Sequence, residues 1–126
     1  MQKAPGFEKH PDHQITISMD PRTLEVLFAG RVIARSGKVQ LLAEGNYPPR
    51  LYFPISDVKT EFLTPEDAST YCPFKGDARY WRISVEGVEL DGGAWGYDAP
   101  YLECAHIAGH VCFYLEKSPF ELNTLS

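Results

Sequence analysis

Residues 70–81 read TYCPFKGDARYW, and they combine a rigid turn with the beginning of a strand. Pro73 fixes one backbone dihedral and Gly76 permits a left-handed one, which is typical of a tight turn. Beyond Gly76 the side chains alternate in type, as they do in a β-strand. The stretch therefore predicts a turn that places Cys72 and Lys75 at the beginning of a strand.

Short segments of alternating apolar and polar residues extend outward from this turn in both directions. They predict strands at residues 15–19, 23–29, 31–35, 38–43, 50–53, 78–85, 88–90, 94–97 and 110–115. Asp91-Gly92-Gly93 is interpreted as a turn between two of them. Only Thr64-Pro65-Glu66-Asp67 has the cap, proline and acidic residues that favour a helical turn. The sequence thus predicts a single small all-β domain, either a complex antiparallel sheet or a partly open barrel, with one short helical turn.

The predicted domain covers residues 14–117, between a poorly ordered N-terminal arm at 1–13 and a C-terminal tail at 118–126. His10 and His13 lie on the arm, where histidines are usually solvated rather than bound to metal. No metal site and no cofactor are therefore predicted.

The composition narrows the classes of partner. The chain has 126 residues and a formal net charge of −5, whereas nucleic-acid binding requires a positive surface. No apolar run is long enough to cross a membrane, and the N-terminus lacks the apolar core of a secretion signal. A cytoplasmic protein without nucleic-acid or membrane partners is expected, and the oligomeric state is left open.

The three cysteines are Cys72, Cys104 and Cys112, and no two of them form a C-x-x-C pair. A structural zinc site is therefore not expected, and the thiols are predicted to be free. Cys104 and Cys112 have apolar neighbours and are predicted to lie in the core.

Several motifs together resemble the domain of unknown function 427 family. They are CPFKGxAxYW at residues 72–81, RLYFPxxDV at 50–58 and AWxY at 94–97, with Gly30, Glu44, Pro100 and Gly109 in matching order. The resemblance covers about residues 22–117. It implies a small all-β domain, a complex sheet or partly open barrel, and no known activity.

The family is sometimes labelled a nucleotidyltransferase. This sequence contains no P-loop and no Gly-Ser pair followed by the paired carboxylates that would hold catalytic magnesium. The cysteine pairs of zinc-binding relatives of the fold are also absent from the sequence. The resemblance therefore predicts a fold rather than a reaction.

Eight residues at the matching positions form the predicted ligand site: Glu44, Arg50, Tyr52, Asp57, Cys72, Lys75, Trp95 and Tyr97. In one hypothesis they line a pocket in which Lys75 and Arg50 attract an anion and Trp95 and Tyr97 stack on a flat ligand. In the alternative they are structural, with the two cations paired to the two carboxylates and the aromatic rings in the core.

Three functions remain open at this stage. The first is the binding of a small anionic or planar molecule. The second is an enzyme that uses Glu44 or Asp57 as general base beside Lys75, or Cys72 as a nucleophile with His106 or His110 as its base. The third is a protein-interaction module that presents strand edges to a partner.

Overall fold

A computed structural model describes all 126 residues, and most of them lie in ten β-strands. The strands are β1 Ile15–Met19, β2 Leu24–Phe28, β3 Arg31–Ser36, β4 Gln40–Glu44, β5 Arg50–Pro54, β6 Leu63–Cys72, β7 Gly76–Val85, β8 Val88–Gly96, β9 His110–Phe113 and β10 Phe120–Thr124. The helical parts are α1 Gly6–Lys9 and the short 3₁₀ helices Ile55–Asp57, Thr60–Phe62 and Leu102–Ile107. None of the helices has the length and apolar character that crossing a membrane requires.

The strands form two antiparallel sheets. The larger has seven strands in the order β1-β4-β5-β9-β8-β7-β6, and the smaller has three in the order β10-β2-β3. The prediction of a small all-β domain is confirmed. The sheets do not close into a barrel, so of the two predicted architectures the complex antiparallel sheet describes the protein.

Side chains from both sheets form the main core, in which Phe28 and Ile33 of the smaller sheet join Phe53, Ile83 and Phe113 of the larger one. A second apolar cluster lies on the opposite face of the larger sheet, because residues that neighbour core residues along a strand point the other way. Its buried members are Leu42, Tyr52, Ala78, Tyr97, Cys104, Ile107 and Cys112. The predicted burial of Cys104 and Cys112 is therefore confirmed.

The predicted helical turn at Thr64–Asp67 is wrong, because these residues belong to β6. The turn after Cys72 closes a hairpin in which Cys72 pairs with Gly76, and the pairing continues back to Leu63 opposite Ile83. β6 is an edge strand of the larger sheet. A proline is tolerated there because its missing N–H can face solvent instead of a neighbouring strand. The register shifts between Pro65 and Ser69, so long-range pairing overrides a local helix signal.

The two strands predicted at 88–90 and 94–97 are one strand, β8, up to Gly96. Opposite β7, Leu90 pairs with Ile83 and Ala94 with Trp81, so three residues of β8 face Arg82 alone. The Asp-Gly-Gly segment is thus a bulge within a strand rather than a turn between strands.

Both ends of the chain have more structure than the sequence indicates. Phe120–Thr124, placed in the tail, forms β10, which pairs with β2 and buries Phe120. In the N-terminal arm Ala4 and Gly6 are buried, and the Gly6 N–H donates to the carbonyl oxygen of Pro73 at 3.0 Å. The arm therefore contacts the turn from which the sequence analysis begins.

Candidate functional site

An open cleft of about 340 Å³ lies on the face of the larger sheet that points away from the smaller one. Nine residues line it: Leu42, Glu44, Tyr47, Pro48, Arg50, Tyr52, Lys75, Trp95 and Tyr97. Six of the eight residues in the predicted site are among them, and Asp57 and Cys72 are not. The structure therefore brings together most of the predicted site.

Strand register explains why these residues share one face. Tyr52 of β5 pairs with Cys112 of β9, and Cys112 pairs in turn with Trp95 of β8. Directly paired residues point to the same side of a sheet, and so do residues two apart along a strand. Arg50, two residues before Tyr52, pairs with Leu42 of β4 and thus joins the same row of side chains.

Lys75 reaches the cleft from the turn between β6 and β7. Gly76 has φ of +116°, a conformation that residues with a Cβ rarely adopt. The carbonyl oxygen of Lys75 accepts a hydrogen bond from the Tyr101 N–H at 2.9 Å. The conformation of Gly76 and the hydrogen bond from Tyr101 therefore fix the turn, which limits where the Lys75 side chain can point.

The N-terminal arm packs against the other side of this turn. The ring of His13 stacks on Phe74 with the ring centres 4.0 Å apart, and the ring of Phe7 meets Phe74 edge-on at 5.0 Å. A Cβ at Gly6 would come within 2.7 Å of the Phe74 ring, so only glycine allows so close an approach. The arm thus supports the turn that carries Lys75.

Glu44 is bound by two nitrogen groups. Lys75 Nζ donates to its Oε1 at 2.6 Å, and His13 Nε2 lies 2.8 Å from its Oε2. Burial by itself would raise the pKa of Glu44, but the hydrogen bonds from Lys75 and His13 outweigh burial, and the pKa is lowered. Glu44 therefore stays ionised at neutral pH and fixes the position of Lys75.

Arg50 lies over two aromatic rings. Its guanidinium carbon is 5.2 Å from the ring centre of Trp95 and 5.8 Å from that of Tyr114. Arg50 Nη1 also donates to Glu116 Oε1 at 2.8 Å. Stacking and the ion pair together hold a planar cation at the wall of the cleft.

Two buried tyrosines, Tyr52 and Tyr97, also line the cleft. Burial is the main cause that raises the pKa of both Tyr52 and Tyr97. Both phenols are therefore neutral at physiological pH. A neutral phenol can donate as well as accept a hydrogen bond.

Asp57 does not belong to the cleft, contrary to the prediction. β5 ends at Pro54, and the 3₁₀ turn Ile55–Asp57 carries the chain toward the smaller sheet, where Val58 forms a bridge to Ala34. Asp57 Oδ2 accepts a hydrogen bond from Ser36 Oγ at 2.6 Å. Asp57 is therefore not available as a base beside Lys75.

The predicted network of ion pairs is half correct. Lys75 pairs with Glu44, as that alternative states, but Arg50 pairs with Glu116 rather than with Asp57. The cleft is thus lined by a structural ion pair and also by a stacked arginine.

Cys72 is half-buried and pairs with Gly76 at the base of the turn, outside the lining of the cleft. His106 is exposed on the 3₁₀ helix at 102–107, and His110 Nδ1 lies 2.8 Å from the carbonyl oxygen of Ala108. Neither imidazole makes a hydrogen bond to Cys72. The arrangement expected of a cysteine nucleophile with a histidine base is not present in this geometry.

Sequence reasoning did not place four neighbours of the predicted site there: His13, Tyr47, Pro48 and Glu116. Tyr47-Pro48 could have been found, because the prolines that break the chain between β4 and β5 also place an exposed tyrosine beside Glu44. No local pattern marks His13 or Glu116. Their contacts with Glu44 and Arg50 join residues 31 and 66 positions apart.

Metal binding has no support in the arrangement of side chains. No group of three or more His, Cys, Asp or Glu residues is placed so that it could hold a metal ion. Glu44 is the one carboxylate in the lining, and both of its oxygens already bond to Lys75 and His13.

Comparison with known families gives one match. A family model described as "Domain of unknown function (DUF427)" matches residues 16–123. The matched region begins within β1 and ends within β10, so it spans both sheets and every residue that lines the cleft. No curated protein matches the chain.

Proposed function

Since the chain belongs to the DUF427 family, whose function is unknown, we propose from the chemistry of the cleft that the protein binds a small molecule with a planar, anionic part. One observation supports this most strongly: Arg50, which lies over Trp95, shares a single concave lining with Lys75. Sites for small molecules are typically clefts of about 300–1,000 Å³ with few polar groups among apolar ones.

Charge favours an anionic ligand. The lining contains two cations, Arg50 and Lys75, and one carboxylate, Glu44. Glu116 pairs with Arg50 from outside this lining, so two cations balance two carboxylates here, whereas the whole chain has a net charge of −5. Each cation makes one hydrogen bond to a protein carboxylate, which leaves N–H groups of both for a ligand.

Aromatic side chains favour a planar ligand. Of the aromatic residues that line the cleft, Tyr47 is exposed, Trp95 is half-buried and Tyr97 is buried. A flat ring can stack on Tyr47 or on the guanidinium plane of Arg50.

Binding explains this chemistry better than general-base catalysis does. A general base works best when its pKa lies near the working pH. The pKa of Glu44 is lowered instead, and both of its oxygens accept hydrogen bonds from neighbours. Glu44 is therefore suited to holding Lys75 in position rather than to accepting a proton from a substrate.

The test is a titration with three probes, followed by amide chemical shifts in the ¹H–¹⁵N spectrum. 2-Naphthoate is planar and anionic, 2-naphthylmethanol is planar and neutral, and cyclohexanecarboxylate is anionic and not planar. Arg50→Met removes the stacked cation in the cleft. Arg79→Met is the matched control, because Arg79 lies 4.5 Å from the ring centre of Trp81 outside the cleft.

We expect 2-naphthoate to shift the amides of Glu44, Arg50, Lys75 and Trp95 and to bind more tightly than either other probe. Arg50→Met should weaken this binding by about tenfold, as the loss of a charge-assisted contact implies, whereas Arg79→Met should leave it unchanged. Equal binding of the three probes, or equal effects of the two substitutions, would contradict the proposal.

A further inference from the structure

A second depression adjoins the cleft at Arg50. It has a volume of about 370 Å³, and Pro48 and Arg50 line both depressions. Its other walls are mostly apolar and consist of Pro49, Leu51, Phe113, Leu115 and Leu122, with Glu116 beside them. The ion pair between Arg50 and Glu116 therefore lies where the polar cleft meets an apolar groove.

The groove exposes apolar surface that no part of the chain covers. Leu122 on β10 is 39% exposed, and Leu115 is half-buried. Removing such surface from water is favourable, roughly in proportion to its area. The groove is of similar size to the cleft, and Pro48 and Arg50 lie between the two, so a molecule that contacts both depressions has to pass these two residues.

Resting on the proposed function, we propose that the ligand is amphipathic. Its planar, anionic end occupies the cleft beside Lys75, and an apolar chain attached to that end passes Arg50 and lies in the groove against Leu51, Leu115 and Leu122. The groove adds affinity through buried hydrocarbon, and the cleft sets the orientation through charge.

Two features indicate that the groove holds the apolar chain of the same small molecule rather than part of another protein. Pro48 and Arg50 line both depressions, so the apolar groove adjoins a cleft that contains two cations, and the two together match a molecule with one anionic and one apolar end. The only acidic side chain in the groove is Glu116. Its charge is paired with Arg50, so a hydrocarbon chain in the groove does not bury an unpaired carboxylate.

The experiment uses 4-alkylbenzoates with methyl, butyl and hexyl chains, titrated below the concentration at which they form micelles. Leu122→Glu puts a carboxylate into the groove. Leu125→Glu is the matched control, because Leu125 is 47% exposed in the same C-terminal segment but does not line the groove. Arg50→Met tests the cleft with the same three probes.

For the wild type we expect affinity to rise with chain length, by up to about fourfold for each buried methylene. Leu122→Glu should abolish this rise while binding of 4-methylbenzoate is retained, and Leu125→Glu should leave the rise intact. Arg50→Met should weaken binding of all three probes. This combination supports the inference.

Two other outcomes separate the inference from the proposed function. Binding of 4-methylbenzoate that depends on Arg50 but shows no gain with chain length, or the same gain in Leu122→Glu, overturns the inference and leaves the proposed function standing. If no 4-alkylbenzoate binds, or if binding does not depend on Arg50, both are overturned.

Discussion

Lys75 Nζ lies 2.6 Å from Glu44 Oε1, and this bond joins the turn between β6 and β7 to the end of β4. The two residues are 31 positions apart in the sequence. The side chains are only 13% and 16% exposed, so their charges have exchanged most of their water for each other. The pair therefore both stabilises the fold and fixes a cation in the cleft.

Removal of one member of this pair should destabilise the protein. Glu44→Gln leaves the ammonium group of Lys75 largely buried without its counter-charge, and we expect a loss of about 1–3 kcal/mol. Urea unfolding measures it. Glu86→Gln is the control, since Glu86 is 73% exposed in its pair with Arg31 and should cost less than about 0.5 kcal/mol. Equal losses would show that the Glu44 pair contributes no more than a surface pair.

The contribution of Glu44 should disappear in acid. Because its pKa in the folded protein lies below the ordinary value of 4.5, the carboxylate stabilises the fold above that pH. This contribution is lost as the pH falls through the lowered value. The stability difference between wild type and Glu44→Gln should therefore be full at pH 7 and shrink below pH 4.5. A difference that stays constant to pH 3 would mean that ionisation of Glu44 is not its source.

The sequence predicted the cleft better than it predicted the limits of the fold. Alternation along residues 50–53 and 94–97 places Arg50 with Tyr52, and Trp95 with Tyr97, on shared faces. The rigid turn places Lys75 near them, and all five residues line the cleft. These residues were predicted from positions that match the family resemblance, and local geometry explains why they meet, namely the two-residue period of a strand and the fixed shape of a turn.

The failures come from contacts that no local pattern encodes. Asp57 follows Tyr52 closely in one motif. The polypeptide crosses from the larger sheet to the smaller one after Pro54, however, and this crossing takes Asp57 away from Tyr52. Thr64–Asp67 has helix-type capping residues, but pairing with β7 makes it a strand. In both places the pairing of distant segments outweighs a short-range preference.

The three thiols should differ in reactivity. Burial raises the pKa of Cys104 to about 11 and that of Cys112 to about 12, whereas Cys72 is only half-buried. Native protein treated with iodoacetamide at pH 8 should therefore be alkylated first at Cys72, as intact mass and peptide mapping would reveal, and Cys72→Ser should remove the rapid phase. Protein unfolded in urea should react at all three residues. Early alkylation of Cys104 would show that the second apolar cluster opens readily.

The turn that carries Lys75 should require glycine at position 76. At φ of +116° Gly76 lies outside the left-handed region that asparagine tolerates, while Gly92 at +64° lies within it. We expect Gly76→Asn to cost about 1–3 kcal/mol. Gly92→Asn should cost clearly less. Thermal or urea unfolding compares them, and equal costs would indicate that the turn adapts to a side chain.

Removal of the acid that pairs with Arg50 should strengthen binding of an anion in the cleft. In the wild type a ligand carboxylate competes with Glu116 for the guanidinium group of Arg50. An exposed ion pair of this kind is worth up to about 1 kcal/mol, so Glu116→Gln should tighten binding of 2-naphthoate by up to about fivefold.

Glu121→Gln is the control, because it removes the same charge from an exposed position on β10 and so measures the effect of net charge alone. Equal tightening in both variants would attribute the gain to net charge. Weaker binding in Glu116→Gln would instead mean that Glu116 holds Arg50 in its binding position, and it would contradict competition between the two carboxylates.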